Sequence, residues 1–150
     1  MKKWKIYAIS IGATLLVGII SGLISMGAME EYAGVRQPSL SPPAWLFPVV
    51  WTILYVLMGI GLARVYIKTE KVPFIYIAQL FFNFMWSIIF FNFSAYLFAF
   101  VWLIVLAILV IIMTIDFYKV DKFSGLIQIP YVLWLLFAGY LNFMVYTLNG

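Results

Sequence analysis

The chain has 150 residues, of which 67% are hydrophobic and 9% charged, and its formal net charge is +4. Soluble domains use about 45–50% apolar and about 25% charged residues, so this composition excludes a water-soluble fold. The absence of Cys and His excludes disulfides, thiolate chemistry, imidazole metal sites and Ser-His-Asp triads. We expect a single integral membrane domain over residues 1–150, with no metal, no cofactor and no nucleic-acid partner.

Apolar segments of about 20 residues, long enough to span a bilayer, recur along the chain. The first follows Met1-Lys2-Lys3, and its length favours a retained anchor over a cleaved signal peptide. A polar stretch over 29–41 precedes the second, for which Ser41 is the predicted N-cap and Pro42 the first helical residue. We predict an all-α bundle of five membrane-spanning helices over residues 4–28, 42–66, 73–92, 95–118 and 123–148.

The cations are distributed unevenly between the predicted connections. Because Lys and Arg are retained in cytoplasmic loops, this bias predicts the N-terminus inside, the C-terminus outside and the long first loop outside. Only Arg36 lies on the opposite side. The bias requires an odd number of spans and so supports five, in what we interpret as a bacterial cell membrane. The cations on the predicted inner side are Lys2, Lys3, Lys5, Arg64, Lys68, Lys71, Lys119 and Lys122.

The first segment carries small residues at helical spacing. Gly18 and Gly22 form a GxxxG motif, and Ser21 and Ser25 repeat the same spacing. Such residues let helix backbones approach closely in a membrane. Two interpretations stay open, which are packing inside the bundle and a homodimer face.

The third segment carries a stripe of polar and aromatic residues spaced by three and four, hence on one helix face. Because hydrocarbon cannot satisfy an amide, this face must turn toward the protein interior or a cavity. Interhelical hydrogen bonding is one interpretation, and a cavity wall with Asn83 as its hydrogen-bonding group is the other. The stripe comprises Gln79, Asn83, Trp86, Ser87 and Phe90.

Three residues from three segments fall at comparable depth, and a fourth lies deeper. At about 1.5 Å per residue, Trp51, Asn83 and Ala138 lie about 12–14 Å below the outer helix ends, and Trp134 about 20 Å. They are placed to line a pocket entered from the first loop, with core packing as the alternative. Such a pocket suits a planar hydrophobic ligand, oriented by amide or indole N–H groups. Ion transport is not expected, because no buried charged relay is present.

The segment Ser41–Gly59, SPPAWLFPVVWTILYVLMG, resembles the signature of the TspO/MBR family. The eukaryotic members of that family are the translocator protein, or peripheral-type benzodiazepine receptor. The blocks 83–87 and 130–142 agree with the family in order and position, so the resemblance covers essentially the whole chain. It implies a five-helix bundle, commonly a homodimer, that binds porphyrins such as protoporphyrin IX and isoquinoline carboxamide or benzodiazepine-like drugs.

The resemblance also implies roles for individual residues. Some bacterial members degrade protoporphyrin in light, which implicates Trp51 and Trp134 as catalytic residues. A membrane receptor or sensor is the leading hypothesis, and light- and oxygen-dependent porphyrin degradation, tetrapyrrole transport and a purely structural bundle are the alternatives. The ligand-binding residues by resemblance are Trp51, Asn83, Trp86, Trp134 and Ala138, with Tyr32, Pro42 and Phe90 as further wall residues.

The sequence departs from the family at two places. Many members carry Lys-Pro-x-Trp before the double proline, where this chain has Gln37 and Leu40. Contacts made through that Lys or Trp are therefore not carried over. No basic residue follows Tyr146, so the resemblance does not extend to cholesterol transport.

Overall fold

A computed structural model describes residues 1–149, all of whose regular structure is helical. Within these residues, five helical stretches are long and apolar enough to cross a membrane, which confirms the predicted five-helix membrane bundle. The third span is α3 with a π-helical segment, and the fifth is α5 with α6. The elements are α1 (Lys3–Tyr32), α2 (Leu46–Thr69), α3 (Phe74–Ser87), the π-helical segment (Ile88–Asn92), α4 (Tyr96–Val120), α5 (Lys122–Leu126) and α6 (Ile129–Asn149).

The first helix is longer than predicted. It continues to Tyr32, so the polar stretch assigned from Met29 was wrong at its beginning. Met29, Glu30 and Glu31 are all good helix formers, and their polarity ends the apolar run without ending the helix. The extra turn places Tyr32 on a helix instead of in a loop.

The predicted cap of the second helix was also wrong. The helix begins at Leu46, and the Ser41 hydroxyl donates to Gln37 Oε1 at 3.0 Å instead of capping it. Pro43 disfavours the α conformation at the residue before it, which keeps Pro42 out of the helix. Pro48 lies in the first turn of α2, where its missing N–H leaves no hydrogen bond unmade.

The fifth span is interrupted, although we predicted one continuous helix. Residues Ile127 and Gln128 separate α5 from α6. Pro130 has no N–H to bond the Leu126 carbonyl, and its ring clashes with that carbonyl in a continuous helix. At the break the Gln128 side chain contacts α2, because its Nε2 donates to the Leu57 carbonyl at 2.9 Å. This hydrogen bond connects the fifth span to α2.

Close backbone approach fixes α1 against α2. A Cβ on Gly59 would lie 2.6 Å from Ile11 Cα, so only glycine allows the two backbones to approach this closely. The Ser10 hydroxyl donates to the Gly59 carbonyl at 2.7 Å across the same contact. On the other side of the bundle, α4 packs mainly against α3 and α6.

The two glycines of the GxxxG motif have different surroundings. A Cβ on Gly18 would lie 2.3 Å from the Tyr55 ring, so Gly18 packs inside the bundle. A Cβ on Gly22 would meet no atom of the described residues within 4 Å. The packing interpretation is confirmed for Gly18, and a homodimer contact at Gly22 stays a prediction.

The small serines of α1 contact α3. Ser21 Oγ lies 2.7 Å and Ser25 Oγ 3.1 Å from Ser87 Oγ. A chain of three hydroxyls thus joins the two helices where hydrocarbon offers no other partner.

Asp121 is the centre of an ionic cluster between the fourth and fifth spans. Its carboxylate is 5% exposed and accepts from Arg64 Nε and Lys68 Nζ, each at 2.7 Å. It also accepts from the backbone N–H of Ser124 at 3.0 Å, which caps α5. The Arg64 guanidinium, with help from Lys68 and Ser124, holds the pKa of the Asp121 carboxyl well below its usual range. The cluster fastens the end of α2 to the fifth span.

Replacing Asp121 tests this cluster. We expect Asp121→Ala to lower the free energy of unfolding by about 1–2 kcal/mol through loss of the cap alone. Because folding lowers the Asp121 pKa, its stabilisation is present above about pH 4 and is lost as the pH falls toward the folded-state pKa. Thermal unfolding in detergent at several pH values measures both effects. Asp116→Ala, at an exposed position of α4, is the matched control, and equal losses in both variants would contradict the assignment.

The two glycines of α1 provide a second test. Gly18→Ala drives a methyl group into the Tyr55 ring, and overpacking of this kind costs about 1–3 kcal/mol. Gly22→Ala enters open space and gains helix propensity, so its midpoint of thermal unfolding should equal or exceed that of the unsubstituted protein. A Gly18→Ala protein as stable as Gly22→Ala would show that Gly18 does not pack inside the bundle.

Candidate functional site

Aromatic rings from three helices meet around Trp51. The Trp51 ring centroid lies 5.8 Å from that of Tyr55, 6.3 Å from Tyr131 and 6.4 Å from both Trp86 and Trp134. We call these five residues the aromatic cluster. Tyr55 follows Trp51 by one turn of α2, and Tyr131 precedes Trp134 by three residues of α6, so helical spacing places each pair on one face.

A line of ring contacts runs from this cluster to the end of α1. Trp86 stacks on Phe90 with centroids 5.3 Å apart, and Phe90 contacts Tyr32 at 5.2 Å. The π-helical segment also turns Phe91 toward Tyr32, again at 5.2 Å. The structure therefore brings five of the predicted site residues into one continuous set of rings. These residues are Tyr32, Trp51, Trp86, Phe90 and Trp134.

A buried hydrogen-bond network lies against the cluster. The Tyr55 hydroxyl donates to Asn83 Oδ1 at 2.7 Å, and Asn83 Nδ2 donates to the Tyr131 hydroxyl at 2.7 Å. Tyr131 donates in turn to Gln79 Oε1 at 2.8 Å, and Gln79 Nε2 lies 3.8 Å from Met58 Sδ. Of the two interpretations of Asn83, interhelical hydrogen bonding describes this structure. Its contact with a ligand stays a prediction.

The network fixes part of the aromatic cluster. Tyr55 and Tyr131 each touch Trp51 with the ring and bond Asn83 with the hydroxyl. A buried polar group that loses its partner costs about 1–3 kcal/mol, so these two rings are held in place. Trp51 consequently packs against a rigid surface.

The indole N–H groups differ in how they are satisfied. Trp86 Nε1 donates to Asn142 Oδ1 at 3.0 Å, and Trp102 Nε1 donates to the Phe82 carbonyl at 2.8 Å. Trp134 Nε1 is buried and has no hydrogen-bond partner among residues 1–149. Trp134 thus offers a donor that a ligand can use.

The two remaining predicted residues lie in different parts of the molecule. Ala138 is 6% exposed, lies one turn after Trp134 on α6 and packs in the same hydrophobic core as Trp51 and Trp134. Pro42 is partly buried in the connection 33–45 between α1 and α2. That connection is fastened to the end of the last helix, because Arg36 N donates to Asn149 Oδ1 at 2.9 Å and Asn149 Nδ2 to the Arg36 carbonyl at 2.7 Å.

Sequence reasoning missed Tyr55 and Tyr131 as members of the site. Tyr55 lies one turn after Trp51, and Tyr131 lies one turn before Trp134, so each is close to a tryptophan that was predicted for the site. A tyrosine deep in a membrane span needs a partner for its hydroxyl, which was an available signal for contact with Asn83.

The fold and the site define a class of protein: a five-helix integral membrane protein with an uncharged, indole-rich site inside the bundle. Residues 10–147 match the TspO/MBR family, and the chain belongs to it. It is 40% identical to the tryptophan-rich protein TspO of Archaeoglobus fulgidus, with 94% of this chain and 95% of the relative covered. It is 35% identical to the protein CrtK of Rhodobacter capsulatus, with 96% of this chain and 92% of the relative covered.

The similarity extends to animal relatives. The human translocator protein is 35% identical, with 81% of this chain and 76% of the relative covered. A relative from Cereibacter sphaeroides is named a tryptophan-rich sensory protein. These relatives support a general sensor or receptor role for the family in a multi-pass membrane setting.

The hydrogen-bond network can be tested by removing one hydroxyl. Tyr131→Phe leaves Asn83 Nδ2 and Gln79 Oε1 without their partner, and we expect a loss of about 1–3 kcal/mol for each unsatisfied group. Thermal unfolding in detergent measures it. Tyr140→Phe, at an exposed position of the same helix, is the control. Equal midpoints for the two variants would contradict a stabilising role for the network.

Proposed function

We propose that this protein is a membrane receptor or sensor that binds a porphyrin such as protoporphyrin IX in the aromatic cluster. The observation that carries the proposal is the meeting of Trp51, Trp86 and Trp134 beside a buried indole N–H without a partner. Isoquinoline carboxamide and benzodiazepine-like drugs fit the same description, since they combine flat rings with a carbonyl acceptor.

Stacking favours a planar ligand at this position. Aromatic contacts are worth about 0.5–1.5 kcal/mol each beyond the area that they bury. A flat ring system inserted beside Trp51 replaces contacts between side chains with contacts to the ligand, while Tyr55 and Tyr131 stay fixed by Asn83. A carboxylate or carbonyl on the ligand supplies the acceptor that Trp134 lacks.

A second candidate function is light- and oxygen-dependent porphyrin degradation. The Trp51 and Trp134 rings meet edge to face, with centroids 6.4 Å apart and planes at 88°. Indole is the most readily oxidised side chain in the cluster, and a bound porphyrin would absorb the light. This geometry supports Trp51 and Trp134 as the residues that react.

Binding is tested by titrating the purified protein with protoporphyrin IX and following the ligand's own absorption band. We expect saturable binding, weakened at least about tenfold in the double variant Trp51→Phe plus Trp134→Phe, because two ring contacts are reduced. Trp102→Phe is the matched control, since the Trp102 ring contacts Phe81, Phe82 and Phe98. Affinity equal in the double variant and the control would refute the site.

Degradation is tested by illuminating the complex in air and following the loss of porphyrin absorbance. We expect faster loss than with an unrelated detergent-solubilised protein, and a rate lowered by Trp51→Phe or Trp134→Phe at saturating ligand. Bleaching at the rate of the unrelated protein would reject the enzymatic alternative and leave the receptor proposal standing.

A further inference from the structure

A groove separates α2 from α6 on the outside of the bundle. It has a volume of about 380 Å³, with Val50 and Ile53 on the α2 side and Pro130 and Leu133 on the α6 side. Trp134 also lines the groove. The groove therefore shares a side chain with the aromatic cluster.

The groove lies at a depth where its neighbour is lipid. Trp134 is 12 residues after Lys122 and 15 residues before Asn149, which places it about 18 Å and about 22 Å from the ends of the fifth span. Ile53 and Leu133 on the two rims are 54% and 61% exposed. Apolar side chains exposed at mid-span face the acyl chains of the bilayer.

Trp134 stands between the groove and Trp51. Its ring contacts Phe47 at 5.8 Å, Phe137 at 5.5 Å and Trp51 at 6.4 Å. It is held by these ring contacts without a hydrogen bond from its indole nitrogen. Trp86, by contrast, is bonded to Asn142.

The unpartnered donor makes Trp134 easier to displace than a hydrogen-bonded tryptophan. A buried N–H without an acceptor costs about 1–3 kcal/mol, and moving the ring breaks no hydrogen bond at Nε1. Displacing the Trp134 ring removes the side chain that lies between the groove and Trp51. A ligand with an acceptor can compensate for that displacement.

We infer that the groove between α2 and α6 is a side entrance from the bilayer, closed by Trp134. The entering molecule is a flat apolar ligand that carries a carbonyl or carboxylate acceptor. The inference rests on the proposed function and adds the route, which bypasses the connection fastened by Arg36 and Asn149.

The absence of Cys allows the entrance to be blocked reversibly. The Leu133→Cys variant is labelled in detergent with a bulky aromatic methanethiosulfonate, which caps the thiol. The capped protein is reconstituted into phosphatidylcholine vesicles, and protoporphyrin IX is then supplied from donor vesicles. We expect the cap to slow association at least tenfold and a reductant to restore the rate. The control is Leu136→Cys, capped in the same way, which lines a separate groove of about 350 Å³ between α4 and α6.

Equal association rates for the two capped proteins would overturn the side entrance and leave the proposed function intact. Failure of the uncapped protein to bind would instead overturn the proposed function. Movement of Trp134, which the side entrance requires, is tested by fluorine NMR of protein labelled with 5-fluorotryptophan. The signals of the two tryptophans are assigned with Trp134→Phe and Trp102→Phe. If the Trp134 signal exchanges between two positions while Trp102 gives one sharp line, the result supports movement of Trp134 at the entrance. One sharp line for each tryptophan overturns it.

Discussion

Hydrocarbon cannot hydrogen-bond a side chain, and the structure depends on how this bundle meets that constraint. Tyr55, Asn83, Tyr131 and Gln79 satisfy one another across α2, α3 and α6. None of these groups has an alternative partner in lipid, so the three helices must keep the spacing that the network requires. The same network presents the Tyr55 and Tyr131 rings to Trp51, which makes helix packing and the geometry of the site a single property of the protein.

The site combines fixed and unfixed aromatic side chains. Trp86 is bonded to Asn142, while Trp134 has a buried N–H with no acceptor. If every ring were held by a hydrogen bond, none could move to admit a ligand. If no ring were held in this way, the site would lose its shape. Binding in such a site depends on which rings can move, and the unsatisfied indole of Trp134 lines the groove between α2 and α6.

Particular residues show where sequence reasoning succeeded and where it failed. The apolar runs predicted all five spans, since length and hydropathy suffice for a membrane helix. Helix ends were less accurate, because polarity at Met29 does not end a helix and Pro42 before Pro43 cannot begin one. The break before Pro130 followed from a local clash that hydropathy does not report. Gly18 and Gly22 look alike in sequence and differ entirely in surroundings.

Composition, segment length and motifs are properties of the chain alone, and they are enough to specify a five-span membrane protein of the TspO/MBR family with an uncharged, indole-rich interior. The hydrogen bonds of Asn83 to two tyrosines, and the lack of an acceptor for Trp134 among residues 1–149, are visible only in the folded protein. Those facts depend on which atoms from distant segments meet, and the spacing along one helix does not specify its partner on another.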